Sequence, residues 1–210
     1  MKKDFIELPE SMKNINFYGF SWIDFLTSIP SPLFVVSTYK SNGKPNACLQ
    51  SWVTFTGVDE ENFVAIMASV NKNGHMYKSI KEAGEMVLNF PSAEIYPKCM
   101  ETIKNNDFGD DEITKSGLTV EKAKMVNAPK IKECFLNLEC KYLWEKELME
   151  GHNVVMCVKV VNVSMDNEYY DEKIKGRYGK TGYIYNIHNP INPETGIMEG
   201  DSIGIIEKIK

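Results

Sequence analysis

The stretch "CFLNLECKYLW", residues 134–144, alternates without a break: Cys134, Leu136, Leu138, Cys140, Tyr142 and Trp144 fall on one side, Asn137, Glu139 and Lys141 on the other. A period of two over this length is that of a β-strand with one dry face. The following "ELMEGHN" can turn the chain back, and "VVMCVKVVNV" (154–163) supplies an apolar return strand. The two read as a long antiparallel hairpin.

Upstream, "PLFVVSTY" is β-branched and aromatic and runs into the turn residues "KSNGKP"; "PNACLQSWVTFTG" alternates again; "FVAIMASV" is apolar enough for a buried strand. In "NKNGHMYKSIKEAGE" Asn73 and Gly74 cap a helix whose Met76, Ile80 and Ala83 share a face and which Gly84 ends, before "MVLNFP" returns to strand. "GFSWIDFLTSIP" and "SAEIYPKCMETIKNN" suit short helices, and the acidic "DFGDDEITKSG" reads as a loop. The tail "KGRYGKTGYIYNIHNPINPETG", rich in Gly, Pro and Asn, predicts few regular ladders. Six strands result, at about 32–39, 46–56, 63–70, 86–91, 134–144 and 153–163. Their connections do not alternate strand with helix, which disfavours a doubly wound parallel sheet. The expectation is a mainly β fold, a small antiparallel barrel with peripheral helices covering its openings.

The 210 residues, 43% hydrophobic, suffice for one large domain. A formal charge of −5 and a pI near 5.4 argue against nucleic acid as a partner. No run approaches the roughly 20 apolar residues that span a bilayer, and the acidic "MKKDFIELPE" is unlike a signal peptide, so a cytoplasmic protein without a membrane partner is expected. Five Cys, spaced by 51, 35, 6 and 17, match neither a disulfide framework nor zinc knuckles and suggest reduced thiols. His75, His152 and His188 stand in no metal-binding spacing, and no nucleophile elbow appears, so no metal is expected.

Two segments point to ligand chemistry. Along 46–56 the even positions Asn46, Cys48, Gln50, Trp52, Thr54 and Thr56 form one face, with Ala47, Leu49, Ser51, Val53 and Phe55 on the other. Amides and an indole on one side suit a flat heteroaromatic ligand, and suit equally a face covered by a neighbouring subunit. In "SVNKNGH" a buried strand enters a helix, where free backbone N–H groups, Lys72, Ser69 and Ser79 can converge on an anion; an ordinary capped helix with a solvated lysine is the other reading.

The order "NACLQSW", then "NKNGHMYKSIKEAGEMVLNFP", then "APKIKECFLNLEC" and a Gly-His turn into "VVMCVKVVNV" resembles the flavin reductase-like family, in particular the flavoredoxin branch of the FMN-binding split barrels. The resemblance covers roughly residues 25–165, and the ending "NPETGIMEGDSIGIIEK" shares it. It implies one domain over 1–210, with an N-terminal arm 1–24 and a C-terminal extension 166–210, built as a six-stranded antiparallel split β-barrel of Greek-key type. It further implies a homodimer with FMN in a groove at or near the subunit interface.

Carried over by position, the segment from Asn46 lines the flavin, with Cys48, Leu49, Gln50, Ser51 and Trp52 meeting it. The segment from Ser69 to Ser79 holds the phosphate, with Asn71, Lys72, His75, Met76 and Ser79 around it. Relatives often carry Arg in place of Lys72 and Thr in place of Met76, so contact here leans on backbone N–H groups, Lys72 and His75. Several relatives place a catalytic His near the nicotinamide; aligning the turn puts His152 there, aligning the strand puts Asn153 there. The implied activity is an FMN-dependent oxidoreductase passing electrons from NADH or NADPH to an acceptor. The alternatives are an FMN-carrying electron-transfer protein that docks on a redox partner protein, and a barrel that has lost FMN. Cys48 beside the flavin is read as a small packing residue, with a redox role as the other possibility.

Overall fold

The computed structural model describes residues 2–148 and 151–209. The chain divides into two compact units, Met1–Ser31 with Tyr185–Gly204, and Pro32–Ile184 with Ile205–Lys210. In the first, Ser21 and Asp24 form a reciprocal capping box that starts helix α1 (Trp22–Thr27). Phe25 of that helix joins Met12 and Ile191 in a small core. His188 is buried edge-on against Phe20 and Phe25, and burial lowers its pKa, the behaviour of a core histidine.

The second unit holds a seven-stranded sheet, with β1 (Phe34–Tyr39), β2 (Pro45–Gln50), β3 (Val53–Gly57), β4 (Phe63–Asn71), β5 (Glu85–Phe90), β6 (Leu136–Glu147) and β7 (Asn153–Met165). Their order is β2-β1-β5-β6-β7-β4-β3, and every neighbouring pair is antiparallel. The long antiparallel pair β6 and β7 lies at the centre; residues 149 and 150 between them lie outside the described residues.

The count is one higher than six because 46–56 divides. β2 and β3 lie on opposite edges of the sheet, yet only Ser51 and Trp52 join them. Three Cα steps span at most about 11 Å, so the two edges must meet there. The sheet therefore curls into a barrel whose seam lies at residues 51 and 52, between the two edge strands. Trp52, at φ 53°, makes the turn.

This corrects the reading of 46–56 as one strand with an even and an odd face. Asn46, Cys48 and Gln50 pair in register with Thr38, Val36 and Phe34 and so share their face, and Cys48 packs on the main core. Beyond Trp52 the parity inverts: Val53 and Phe55 pack on that core, and Thr54 and Thr56 are exposed. A left-handed residue rotates the strand, so alternation cannot continue across it.

The strand that opens with "CFLNLECKYLW" also departs from expectation. Leu136, Leu138 and Cys140 enter the main core, but Cys134 precedes the strand and joins a second cluster, and Trp144 is 47% exposed. The polar face is not wet: Asn137 and Glu139 are buried. Segment 118–131, with a short hairpin of Val120–Lys122 and Pro129–Ile131, supplies their partners. Glu139 accepts from the N–H groups of Lys124 (2.9 Å) and Met125 (2.5 Å) and from Asn162 Nδ2 (2.9 Å). Burial pushes the Glu139 carboxyl up, but these donors outweigh it and hold it below the usual range.

Helix α2 (His75–Ala83) follows Gly74, ends at Gly84 in the left-handed region (φ 69°), and buries Met76 and Ile80 over β1 and β2. On the opposite face of those strands Val35 and Ala47 meet Cys99 of α3 (Tyr96–Lys104) and Ile113 of α4 (Glu112–Lys115). α4 lies where a loop was expected; Asp111 caps it by accepting from Thr114 N at 2.9 Å. All five cysteines are free thiols, Cys48 half-buried and the others buried.

Candidate functional site

At the seam, two non-glycine residues side by side adopt positive φ, Trp52 at 53° and Ser69 at 56°. Trp52 carbonyl accepts from Ala68 N at 2.8 Å, and the register of β4 on β7 shifts there, between the partners of Val154 and Met156. A left-handed conformation costs an L-residue roughly 1–2 kcal/mol, and such strain concentrates at ligand sites. Trp52→Gly should be more stable than Trp52→Ala by about 1 kcal/mol in urea melts, because only glycine occupies this region freely. An alanine variant of equal or greater stability would show that the turn is not held.

Leading into the seam, Asn46 and Ser51 are buried, while Cys48, Leu49, Gln50 and Trp52 are half-buried. Leu49 turns to the second cluster, away from Cys48. Gln50 Nε2 donates to Cys48 Sγ at 3.2 Å. Burial pushes the Cys48 thiol up and the Gln50 bond offsets this only in part, so at neutral pH Cys48 is a protonated wall, not a thiolate nucleophile.

The residues expected at the phosphate end divide between two sides of α2. On one side Lys72 Nζ pairs with Glu147 Oε1 at 2.6 Å, Tyr77 Oη donates to Glu145 Oε1 at 2.7 Å, and Lys81 Nζ donates to Tyr142 Oη at 3.0 Å. Lys72 N also donates to the carbonyl of His152 at 2.8 Å, and Asn153 pairs with Asn71. His152, exposed, and Asn153, half-buried, thus both border the helix start. Asn71 Oδ1 accepts from Asn73 N at 2.9 Å and shapes that turn. Met76 points into the core.

On the other side His75 and Ser79 line a cavity of about 220 Å³ with Lys40, Ser41, Lys78, Glu82 and Phe108. Pockets for whole drug-sized ligands run from about 300 to 1,000 Å³, so this one suits a small group and not a ring system. Phe108 lies edge-on to His75, ring centroids 5.8 Å apart. His75 Nδ1 is buried without a hydrogen-bond partner. Buried polar atoms are nearly always hydrogen-bonded, so this nitrogen marks the cavity wall as a place where a polar partner would be accepted.

Sequence reading did not find Ser41, Lys78 or Phe108. A signal for Lys78 was present, since it stands one turn beyond Gly74 on the helix that carries His75 and Ser79. Phe108 lay in the acidic loop and carried none. Among the described residues no three His, Cys, Asp or Glu side chains are placed to hold a metal ion, and no helix is long and apolar enough to cross a membrane.

The sequence profile of the family described as "Flavin reductase like domain" matches residues 26–182. A protein of Aquifex aeolicus is 28% identical over 156 residues, 72% of this chain and 78% of the relative. Flavoredoxin of Desulfovibrio vulgaris (Miyazaki F) superimposes with a TM-score of 0.67 at 18% identity, over 100% of this chain and 96% of its own. Flavoredoxin from Methanosarcina acetivorans does so with 0.65 at 20% identity, over 100% and 94%. Nitrilotriacetate monooxygenase component B from Bacillus cereus gives 0.69 at 17%, over 95% and 98%. At these identities the solved structures speak for the fold.

Proposed function

Because the chain belongs to the flavin reductase-like family, we propose that it is an FMN-binding oxidoreductase that takes electrons from NADH or NADPH and hands them to an acceptor. The observation that carries this reading is the pairing of a strained, half-buried seam at 48–52 with a small polar cavity at His75, Lys78, Ser79 and Glu82. A flat ring needs the first, a ribityl phosphate the second. The residues present fit the group: the cavity is lined by the Lys78 ammonium and the Ser41 and Ser79 hydroxyls, beside His75, whose buried Nδ1 has no partner, with the Glu82 carboxylate as the one opposing charge.

In this reading Asn46, Cys48, Gln50 and Ser51 border the ring, Trp52 and Ser69 hold the turn against it, and the first turn of α2 donates backbone N–H groups to the phosphate. His75, Ser79, Lys78 and Ser41 complete that end. Lys72, held by Glu147, contributes field rather than contact. Bound FMN would supply hydride and electron exchange. The protein's own task is to orient the ring, keep water from one face and leave the other open to nicotinamide beside His152 or Asn153. We take the working unit to be a cytoplasmic homodimer, with half-exposed Leu143 and Trp144 offering apolar area to a second copy.

The test is an anaerobic titration. FMN should be taken up with a Kd below about 100 µM. NADH or NADPH should then bleach the flavin band near about 450 nm. Uptake without bleaching, reversed by a reduced partner protein, assigns an electron carrier; no uptake overturns the reading.

A further inference from the structure

The pair Lys40–Glu112 is used by none of this chemistry, yet both side chains are only 1% exposed, with Nζ and Oε1 2.9 Å apart. Withdrawing two charges from water is expensive, and well-packed apolar residues would often stabilise as well. The hydrogen bonds show what the pair joins. Lys40 Nζ also donates to the carbonyls of Asp107 (3.1 Å) and Asp110 (2.8 Å), so all three of its protons are engaged. Glu112 Oε2 accepts from Ala47 N at 2.8 Å, and the Asn46 amide, oriented to satisfy both its ends, donates to Glu112 Oε1 at 3.2 Å. Ala47 belongs to the edge strand β2, where an outward N–H has no strand to pair with. A second tie holds the same loop, from Asn42 Nδ2 to the carbonyl of Phe108 at 2.8 Å.

One ion pair thus fastens three segments: the 40–44 turn, the start of β2, and loop 107–112. The loop presents Phe108, which walls the cavity and backs His75. β2 presents Asn46 and Cys48. We propose that Lys40 and Glu112 are positioning residues for the flavin site, fixing the wall of the phosphate cavity to the strand that borders the ring. The proposal rests on the FMN reading above. Because Glu112 neutralises Lys40, the pair sets the spacing between the two ends of the site while leaving the cavity's charge to Lys78 and Glu82.

A role in spacing affects a ligand that reaches both ends, so FMN and riboflavin separate it from mere support of the fold. Glu112→Gln should weaken FMN about tenfold and riboflavin by less than about threefold in fluorescence titrations, since preorganisation is lost only for the group in the cavity. Phe108→Ala, at a half-exposed side chain, should give the same split with an unchanged melting temperature. Should Glu112→Gln not fold, Lys40→Met/Glu112→Leu removes both charges together and should again show the split. Equal losses for the two flavins, or none, in Phe108→Ala and in the folded pair variant overturn the proposal alone. A wild-type protein that takes up neither flavin ends the parent reading and this proposal with it.

Discussion

Lys78→Glu should weaken FMN binding on the order of 30-fold, about 2 kcal/mol, and leave riboflavin binding within about threefold. Lys78 lies at the mouth of the cavity, one turn into α2, and no ion pair engages its ammonium among the described residues. Reversal sets a carboxylate where a dianionic phosphate needs a cation, and the effect should shrink as salt is raised, since the side chain is exposed. Lys72→Ala is the matched control. Its ammonium is held by Glu147 at 2.6 Å, so its removal should alter FMN affinity by less than about threefold. If Lys72→Ala proves the more damaging change, the phosphate lies on the hairpin side of the helix and the cavity assignment fails. If Lys78→Glu weakens both flavins alike, the cavity does not distinguish a phosphate.

Phe34→Ala should lower stability by about 3–5 kcal/mol, a large part of the roughly 5–15 kcal/mol available to a domain. Phe34 is fully buried and pairs in register with Gln50, the last residue of β2. Its ring meets Phe90 of β5 at 5.6 Å and, edge-on, Phe55 of β3 at 6.4 Å. From β1, next to the edge strand β2, it therefore reaches across the seam to the other edge strand, β3, where no strand ladder joins the two edges among the described residues. Urea unfolding should show a lower midpoint with an unchanged slope. Phe63 stacks on Phe55 from outside and is 41% exposed, so Phe63→Ala should cost no more than about 1 kcal/mol. Equal losses at both positions would mean that the seam is not closed through Phe34.

Much of the architecture was legible because local periodicity reports burial. Leu136, Leu138 and Cys140 entered the core as their alternation required, the return strand paired with them, and Gly74 and Gly84 bounded the helix between them. The segments named for a site also adjoin in the fold: the Trp52 carbonyl accepts from Ala68, just before 69–79, and Lys72 donates to His152 of the Gly-His turn.

By itself, then, the chain's order of apolar and polar residues determined the antiparallel strands and the helix at 75–83, properties of neighbours in sequence, while the order of its motifs carried the resemblance to the family that the profile shows. Only the tertiary structure decided where 46–56 breaks. Alternation looks the same in letters on either side of a residue at positive φ, and the inversion of faces follows from two sheet edges meeting. It also decided that Glu139 is buried, that Lys72 faces Glu147 while Lys78 faces the cavity, and that Lys40 finds Glu112 at a separation of 72 residues. A charged side chain carries no periodic signal of its partner, because its environment is set by whichever segment the closed sheet brings against it.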